Sequence, residues 1–246
     1  MFPDPFRCRK SLLHSLDTGC RSIPTSTPDR TASESETGCV ARLARGPEGT
    51  SGSLSAKSEL RQRLRKILAE ISPETQESKS LRACHRLFEQ PEYLRAEVIM
   101  VFLSLPNEID THALVLRAWQ DRKRVLAPKV SWSQRRMLPV EIRSLTDDLT
   151  TTRMGLREPI AGIPFPVSLI DLVIVPGLGF DEYGHRLGRG RGFYDRFLAH
   201  PEFQGTACAL AFEEQVLPRI PAGPLDRPVD MLVTDEKVRR FNHAPA

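Results

Sequence analysis

Gly184, Gly188, Gly190 and Gly192 punctuate a loop that carries Arg186, Arg189 and Arg191, and Asp195 follows three residues after the last glycine. Glycine lets the backbone approach a ligand closely and present its N–H groups, and arginine adds permanent, planar positive charge. A polyphosphate is the natural guest of such a loop, with Asp195 in reach to hold a divalent cation against it. An apolar stretch, LIDLVIV, comes before the loop and a helix-like FYDRFL closes it. A helix starting there would aim its positive dipole end at the same guest. The run matches neither GxGxxG nor GxxxxGK[ST]. An Arg/Gly run can also be a flexible nucleic-acid-binding segment, but this one sits directly behind an apolar strand rather than in a polar tail.

Further candidates lie elsewhere in the chain. SLPNEIDT follows the apolar run VIMVFL (98–103) and brings Glu108 and Asp110 to the end of a strand. Asp110 or Thr111 is expected to cap the following helix, leaving Glu108 as a ligand contact. Lys57 and Arg61 are four apart on a first helix, opposite Leu60, Leu64 and Ile67. Such a basic stripe is either a solvated face or a phosphate contact. Asp230, before the last apolar strand, reads equally as a turn residue or a metal ligand. Trp119 and Trp132 are read as packing residues rather than a stacking platform, and the six histidines form no pair at ligand spacing.

These residues need a scaffold, and the hydrophobic pattern supplies one. Leu60, Leu64, Ile67 and Leu68 recur at helical spacing, a second helix is expected over 73–88, and a third over 111–121. Apolar strands are expected over 98–103, 124–127, 169–175, 206–212 and 229–234, with an edge strand or hairpin in 137–145. Unbroken apolar strands alternating with helices predict a single-domain, three-layer α/β/α fold around a mainly parallel sheet. Ligands of such sheets gather at the carboxyl ends of the strands, where the glycine loop falls.

Composition bounds the rest. The 246 residues carry a formal charge of +4, too small for a polycation argument for nucleic acid, and contain no apolar run of membrane-spanning length. The five cysteines form no CxxC pair and no zinc-spaced cluster. Cys84 and Cys208 fall in patterned segments and are expected to be reduced and packed, which suits a cytoplasmic protein. Residues 1–56 are rich in Ser, Thr, Gly, Pro and Arg and are expected to be a disordered extension. Its basic start hints at an organelle-targeting peptide, but Asp4, Asp17, Asp29, Glu34, Glu36 and Glu48 speak against one.

Taken together, the segments resemble the 5-formyltetrahydrofolate cyclo-ligase family, also called 5,10-methenyltetrahydrofolate synthetases. VPGLGFDEYGHRLGRGRGFYDR (175–196) carries the most specific part of the likeness. KSELR (57–61), FLSLPNEIDT (102–111), GLREP (155–159) and ALAFEEQ (209–215) follow the family's order. Phe193 stands where a tyrosine is frequent, and VDML replaces a VDEV-like sequence.

The resemblance implies an ATP- and magnesium-dependent enzyme whose domain spans 57–240, acting on small molecules and not on nucleic acid or membranes, as a monomer. It places Lys57, Ser58, Glu59, Leu60 and Arg61 on the nucleotide, Lys57 and Arg61 at its phosphates. The nucleotide is also wrapped by Arg186, Leu187, Gly188, Arg189, Gly190, Arg191, Gly192, Phe193 and Tyr194. Leu103, Glu108 and the stretch Arg189–Phe193 fall to the folate, with Glu108 as anchor for pterin donor groups. Asp195 and Asp230 fall to magnesium, and Arg189 and Arg191 to transition-state charge. The implied reaction passes through a phosphorylated formyl group, an imidate phosphate, whose formyl carbon N10 then attacks with loss of phosphate. Three rivals share these residues: a phosphotransferase with another acceptor, a non-catalytic RNA-binding module, and a folate-binding relative without turnover.

Overall fold

Successive residues of the apolar segments bury against opposite faces of one sheet. Ile99 and Val101 join one hydrophobic cluster while Val98 and Met100 join the other, and Leu172 and Ile174 are likewise split from Val173 and Val175. Side chains alternate across a strand, so only a sheet covered on both faces accepts unbroken apolar runs. The computed structural model describes residues 50–152 and 155–242.

In chain order the helices are α1 (Thr50–Ala69), α2 (Pro73–Phe88), α3 (Pro91–Arg95), α4 (His112–Gln120) and α5 (Phe193–Leu198). The strands begin with β1 (Val98–Met100), β2 (Arg124–Ser131), β3 (Arg136–Glu141), β4 (Leu149–Thr151), β5 (Arg157–Pro159) and β6 (Leu172–Val175). They continue with β7 (Gly179–Asp181), β8 (Arg186–Leu187), β9 (Thr206–Ala211), β10 (Val216–Leu217), β11 (Met231–Thr234) and β12 (Val238–Arg240). Seven strands form the central sheet in the order β12-β11-β9-β6-β1-β2-β3. Its five inner strands run parallel, and β12 and β3 flank them antiparallel.

The expected three-layer architecture is present, but its outer layers are unequal. Leu64 and Leu68 of α1, Cys84 and Leu87 of α2, and Leu114 and Val115 of α4 fill one face. The other is covered by Phe197 of the six-residue α5 together with Phe180, Val229 and loop residues. Cys84 and Cys208 are buried and free, as the sequence suggested, and burial pushes the Cys84 thiol up to about 12.

Some boundaries differ from expectation. Helix α1 begins at Thr50, ahead of the expected boundary at 56, because a strong helix-forming run propagates cooperatively into weaker residues. Of the expected extension, residues 1–49 lie outside the described residues, as do Cys8, Cys20 and Cys39. Strand β1 stops at Met100, although the Val101 amide still reaches the Leu126 carbonyl at 2.8 Å. The edge strand or hairpin expected in 137–145 is present as β3 of the β2–β3 hairpin, and the β4–β5 pair follows it. The chain also folds a small sheet, β10-β7-β8, in which β7 and β8 follow β6 and β10 arrives from after β9. Among the described residues no helix is long and apolar enough to cross a membrane.

Candidate functional site

The carboxyl ends of β1 and β6, the β2–β3 hairpin, the middle of α1 and the loop 186–196 enclose one cavity of about 960 Å3. Lys57 and Arg61 face it from α1, Leu103 and Glu108 from the segment after β1, and every residue from Arg186 to Asp195 from the glycine loop. Ser58, Glu59 and Leu60 are not in its wall; Leu60 packs against the core one turn from the basic stripe. The volume sits at the upper end for a small-molecule site, enough for more than one ligand.

One end of the cavity is charged. Arg186 has its guanidinium nearly buried, donating to Asp195 Oδ1 at 2.7 Å and to the Pro176 carbonyl at 3.4 Å. The Arg227 amide also reaches Asp195 Oδ1, at 3.3 Å. Arg61 Nε donates to the Gly188 carbonyl at 2.9 Å, tying α1 to the loop. Lys57 pairs with Asp226, whose carboxylate also accepts the Gly223 amide at 2.6 Å. Burial alone would raise the Asp226 pKa. The Lys57 ammonium, the Gly223 amide and the charge of Arg186 outweigh it and hold the group below the usual carboxylate range. Asp195 and Asp226 thus share one basic environment.

The glycines make this packing possible. Gly190 has φ +99° and Gly192 φ +64°, backbone regions that L side chains rarely adopt. A Cβ at Gly190 would make only ordinary contact with the Arg61 guanidinium, at 3.7 Å, so it is the backbone conformation that calls for glycine there. Helix α5 starts right after Gly192 but is only six residues long. Its dipole is short, and the positive potential of this end comes from side chains rather than from the helix.

The other end is apolar, lined by Phe102, Leu103, Pro128, Val130, Met137 and Leu156. Trp132, read from the sequence as a packing residue, is 43% exposed at the mouth, because the β2–β3 hairpin carries it outward. Its ring meets Phe193 edge-on at 5.2 Å, and the Arg191 guanidinium lies 5.8 Å from its centre. Arg196 covers the opposite neighbour, Phe193, at 5.2 Å. The contacts of Phe193 with Trp132 and Arg196 are made by its ring and need no hydroxyl. The Tyr194 hydroxyl is enclosed without a partner among the described residues, and burial, then the charge of Glu108, hold its proton on.

Arg189 stands where the two ends meet. Its Nε and Nη2 both donate to Glu108 Oε1, at 2.9 and 2.7 Å, and Glu108 Oε2 accepts the Leu105 amide at 3.0 Å. Asn107, with φ +63°, makes the turn that brings Glu108 inward. Asp110 takes the capping part, accepting the His112 amide at 3.0 Å, while the Thr111 hydroxyl binds the Phe102 carbonyl at 2.7 Å.

The sequence of residues 53–235 matches the model of the 5-formyltetrahydrofolate cyclo-ligase family. The chain belongs to that family. The mouse 5-formyltetrahydrofolate cyclo-ligase is 31% identical over 192 residues, which cover 74% of this chain and 95% of that protein. The Escherichia coli K12 cyclo-ligase is 32% identical over 172 residues, 68% of this chain and 94% of its own. The solution structure of the Aquifex aeolicus 5,10-methenyltetrahydrofolate synthetase superposes with a TM-score of 0.67 at 29% identity, covering 77% of this chain and 95% of that one.

Within this cyclo-ligase frame, the cavity gathers the expected basic and folate-facing residues but not Asp230. Asp230 lies at the amino end of the parallel sheet, where its carboxylate accepts the Ala207 amide at 2.8 Å and its own amide binds the Ala207 carbonyl at 2.9 Å. Asp230 is absent from the residues lining the cavity, although the Val229 amide beside it binds the Gly184 carbonyl of the glycine loop at 2.9 Å. The second acid beside Asp195 in the cavity wall is Asp226. Sequence reasoning passed over it because it lies in PAGPLDRP, a segment with no periodicity. Its only signal was an acid–base pair, Asp226–Arg227, held between prolines. Trp132 could have been suspected from its isolation among polar and basic neighbours in SWSQRR.

Proposed function

We propose that this chain uses ATP and magnesium to convert 5-formyltetrahydrofolate to 5,10-methenyltetrahydrofolate, releasing ADP and phosphate. The observation that carries this reading is a single cavity whose basic end and apolar end meet at Arg189. A formyl oxygen entering from the apolar end would find the γ-phosphate at the basic end.

The formyl oxygen attacks the γ-phosphorus and the bond to ADP breaks, giving an imidate phosphate. N10 then attacks the formyl carbon, loses its proton, and the C–O bond breaks with departure of phosphate. An amide oxygen is a poor leaving group and phosphate a good one, which is what the ATP supplies. The protein positions and neutralises. Lys57 and Arg61 hold phosphate oxygens, Arg186 keeps Asp195 oriented, and Arg189 and Arg191 offset charge that grows in transfer. Leu103 and the Phe193 ring bound the folate, and Glu108 fixes where Arg189 points.

Asp195 and Asp226 would hold the magnesium. Carboxylate oxygens are its hard donors, and it commonly takes one or two of them together with substrate phosphates. No cluster of three or more His, Cys, Asp or Glu suited to a metal occurs among the described residues, which fits that sparse mode. The ion supplies charge neutralisation on the phosphates when bound.

The test is the near-ultraviolet absorbance of methenyltetrahydrofolate as 5-formyltetrahydrofolate, ATP and magnesium are mixed with the protein. Product that needs all three supports the reading. Folded protein that binds ATP and forms no product overturns it and points to another acceptor.

A further inference from the structure

Arg196 is the fourth arginine of the segment 186–196 and has no part in the reaction as proposed. It stands on α5 and lines the cavity with Trp132, Arg191 and Phe193. Its Nε donates to the Arg135 carbonyl at 2.7 Å and its Nη2 to the Arg191 carbonyl at 2.9 Å, while its guanidinium covers the Phe193 ring. One planar group therefore holds the tip of the β2–β3 hairpin and the glycine loop together. Among the described residues, its bond to Arg135 is the one hydrogen bond between that tip and the segment 186–196. The remaining ties are the ring contacts of Trp132 with Phe193 and with Arg191.

The backbone on both sides is shaped for this bond. Arg135 has φ +51°, a conformation that a non-glycine residue holds only where its surroundings fix it, and its amide binds the Trp132 carbonyl at 3.3 Å. A Cβ at Gly192 would come within 3.0 Å of Arg196 Nη1, so glycine there leaves room for the guanidinium. Arg196 itself is exposed and absent from the buried core, so its contacts serve the cavity wall and not the core.

The proposed reaction gives such a tie a task. An imidate phosphate is an activated formyl group, and its carbon is open to water as well as to N10. Enzymes protect intermediates of this kind by closing the site against solvent. Resting on the proposed function, we infer that Arg196 is a positioning residue that pins the hairpin tip to the glycine loop and keeps water from the imidate phosphate. It acts through Trp132, Phe193 and Arg191 rather than on the reacting atoms. Without it, water adds to the formyl carbon, the C–O bond breaks, phosphate and a proton leave, and 5-formyltetrahydrofolate returns. The net result is ATP hydrolysis with no ring closure.

The experiment measures phosphate and methenyltetrahydrofolate together, in heavy-oxygen water, for wild type, Arg196→Ala and Arg196→Lys, with thermal unfolding recorded for each. Wild type should release phosphate and product in equal amounts. Arg196→Ala should release at least about twice as much phosphate as product, with the KM for 5-formyltetrahydrofolate raised about tenfold and the melting temperature near that of wild type. Lysine keeps the charge but has no planar fork for two carbonyls, so Arg196→Lys should uncouple as well, which covers an alanine variant that does not fold. The heavy oxygen should appear in the recovered 5-formyltetrahydrofolate and not in the phosphate, which leaves with the original formyl oxygen. A role in stability alone would not move that label. The inference is overturned if a folded variant still makes phosphate and product in equal amounts. It is overturned too if the excess phosphate carries heavy oxygen or forms without folate, because water is then reaching the γ-phosphorus. Wild type that forms no methenyltetrahydrofolate overturns the cyclo-ligase reading and this inference together, whereas coupled wild type with equally coupled variants overturns this inference alone.

Discussion

Replacing Arg189 with alanine removes a guanidinium at the junction of the cavity's two ends, and the size of the loss can be worked from its contacts. Five N–H donors are available, and two are spent on Glu108 Oε1. Three remain for phosphate oxygens as charge shifts during transfer. Deleting a preorganised donor of this kind costs about 100- to 1000-fold in kcat, equivalent to about 3–4 kcal/mol. Glu108→Gln keeps an acceptor at the same place but makes it neutral, roughly halving the strength of the tether and letting Arg189 wander. A cost of about tenfold in kcat is expected, since misplacement of a positioning group by an ångström can cost more than that. If Glu108 acts through Arg189, the second loss disappears once the arginine is gone. The assay is the methenyltetrahydrofolate absorbance under saturating substrates for both single variants and the double variant. Arg189→Ala with kcat within about threefold of wild type would refute the role of the arginine, and equal kcat losses from Glu108→Gln in both backgrounds would refute the tether.

Asp226→Asn and Asp195→Asn should each raise the magnesium concentration needed for half-maximal rate by about tenfold. Asp230→Ala should leave it unchanged and lower stability by about 1 kcal/mol through loss of the Ala207 contact, read by magnesium titration and denaturant unfolding; a magnesium shift in Asp230→Ala alone would reverse the assignment. Gly190→Ala puts a side chain at φ +99° and should cost about 1–3 kcal/mol of stability or an equivalent loss of ATP affinity, and unchanged melting and ATP binding would contradict the loop geometry. Asp235 lies buried; burial pushes its pKa up, but the Glu213 amide, Lys79 and Arg82 outweigh it and leave the group below its ordinary value. Its stabilising contribution is therefore full above that ordinary value and is lost as pH falls through the lower, folded one. Asp235→Asn should flatten the acid side of the melting-temperature profile, and a profile parallel to wild type would show the network carries no such linkage.

The central sheet was legible because burial on both faces writes unbroken apolar runs into β1, β6, β9 and β11. Helix α2 was readable to its ends, since Ser72 and Pro73 open it and Ser72 Oγ accepts the Thr75 amide. The small strands were not readable. β4, β5, β7 and β8 hold two or three residues each, too short for any periodicity, and they are fixed by long-range pairing alone. The same limit applies to the site. Arg186, Arg189 and Arg191 share one segment with their glycines, so local chemistry exposes them. Asp226 reaches the cavity from a segment far along the chain, and nothing local distinguishes it from a surface acid. Asp230 shows the converse, since an acid before an apolar strand reads equally as a turn residue or a ligand, and its bond to the Ala207 amide depends on a strand far along the chain.

The spacing of the loop arginines has a consequence for how charge is delivered. Three arginines within six residues would repel one another if they pointed the same way. Each is instead turned to a different anchor from a different part of the fold. Arg186 goes to Asp195 at the start of α5, Arg189 to Glu108 after β1, and Arg191 to the face of Trp132 in the β2–β3 hairpin. Gly188, Gly190 and Gly192 stand next to these residues, and the positive φ of the last two lets the backbone reverse between side chains. The positive charge is thereby spread along the cavity from the Asp195–Asp226 end to its mouth rather than gathered at one point. In the proposed reaction, a phosphoryl group passing from ATP to a formyl oxygen would need neutralisation along such a path. Two of these arginines are held by carboxylates, so removing either acid should disturb the aim of an arginine before it disturbs the net charge of the site.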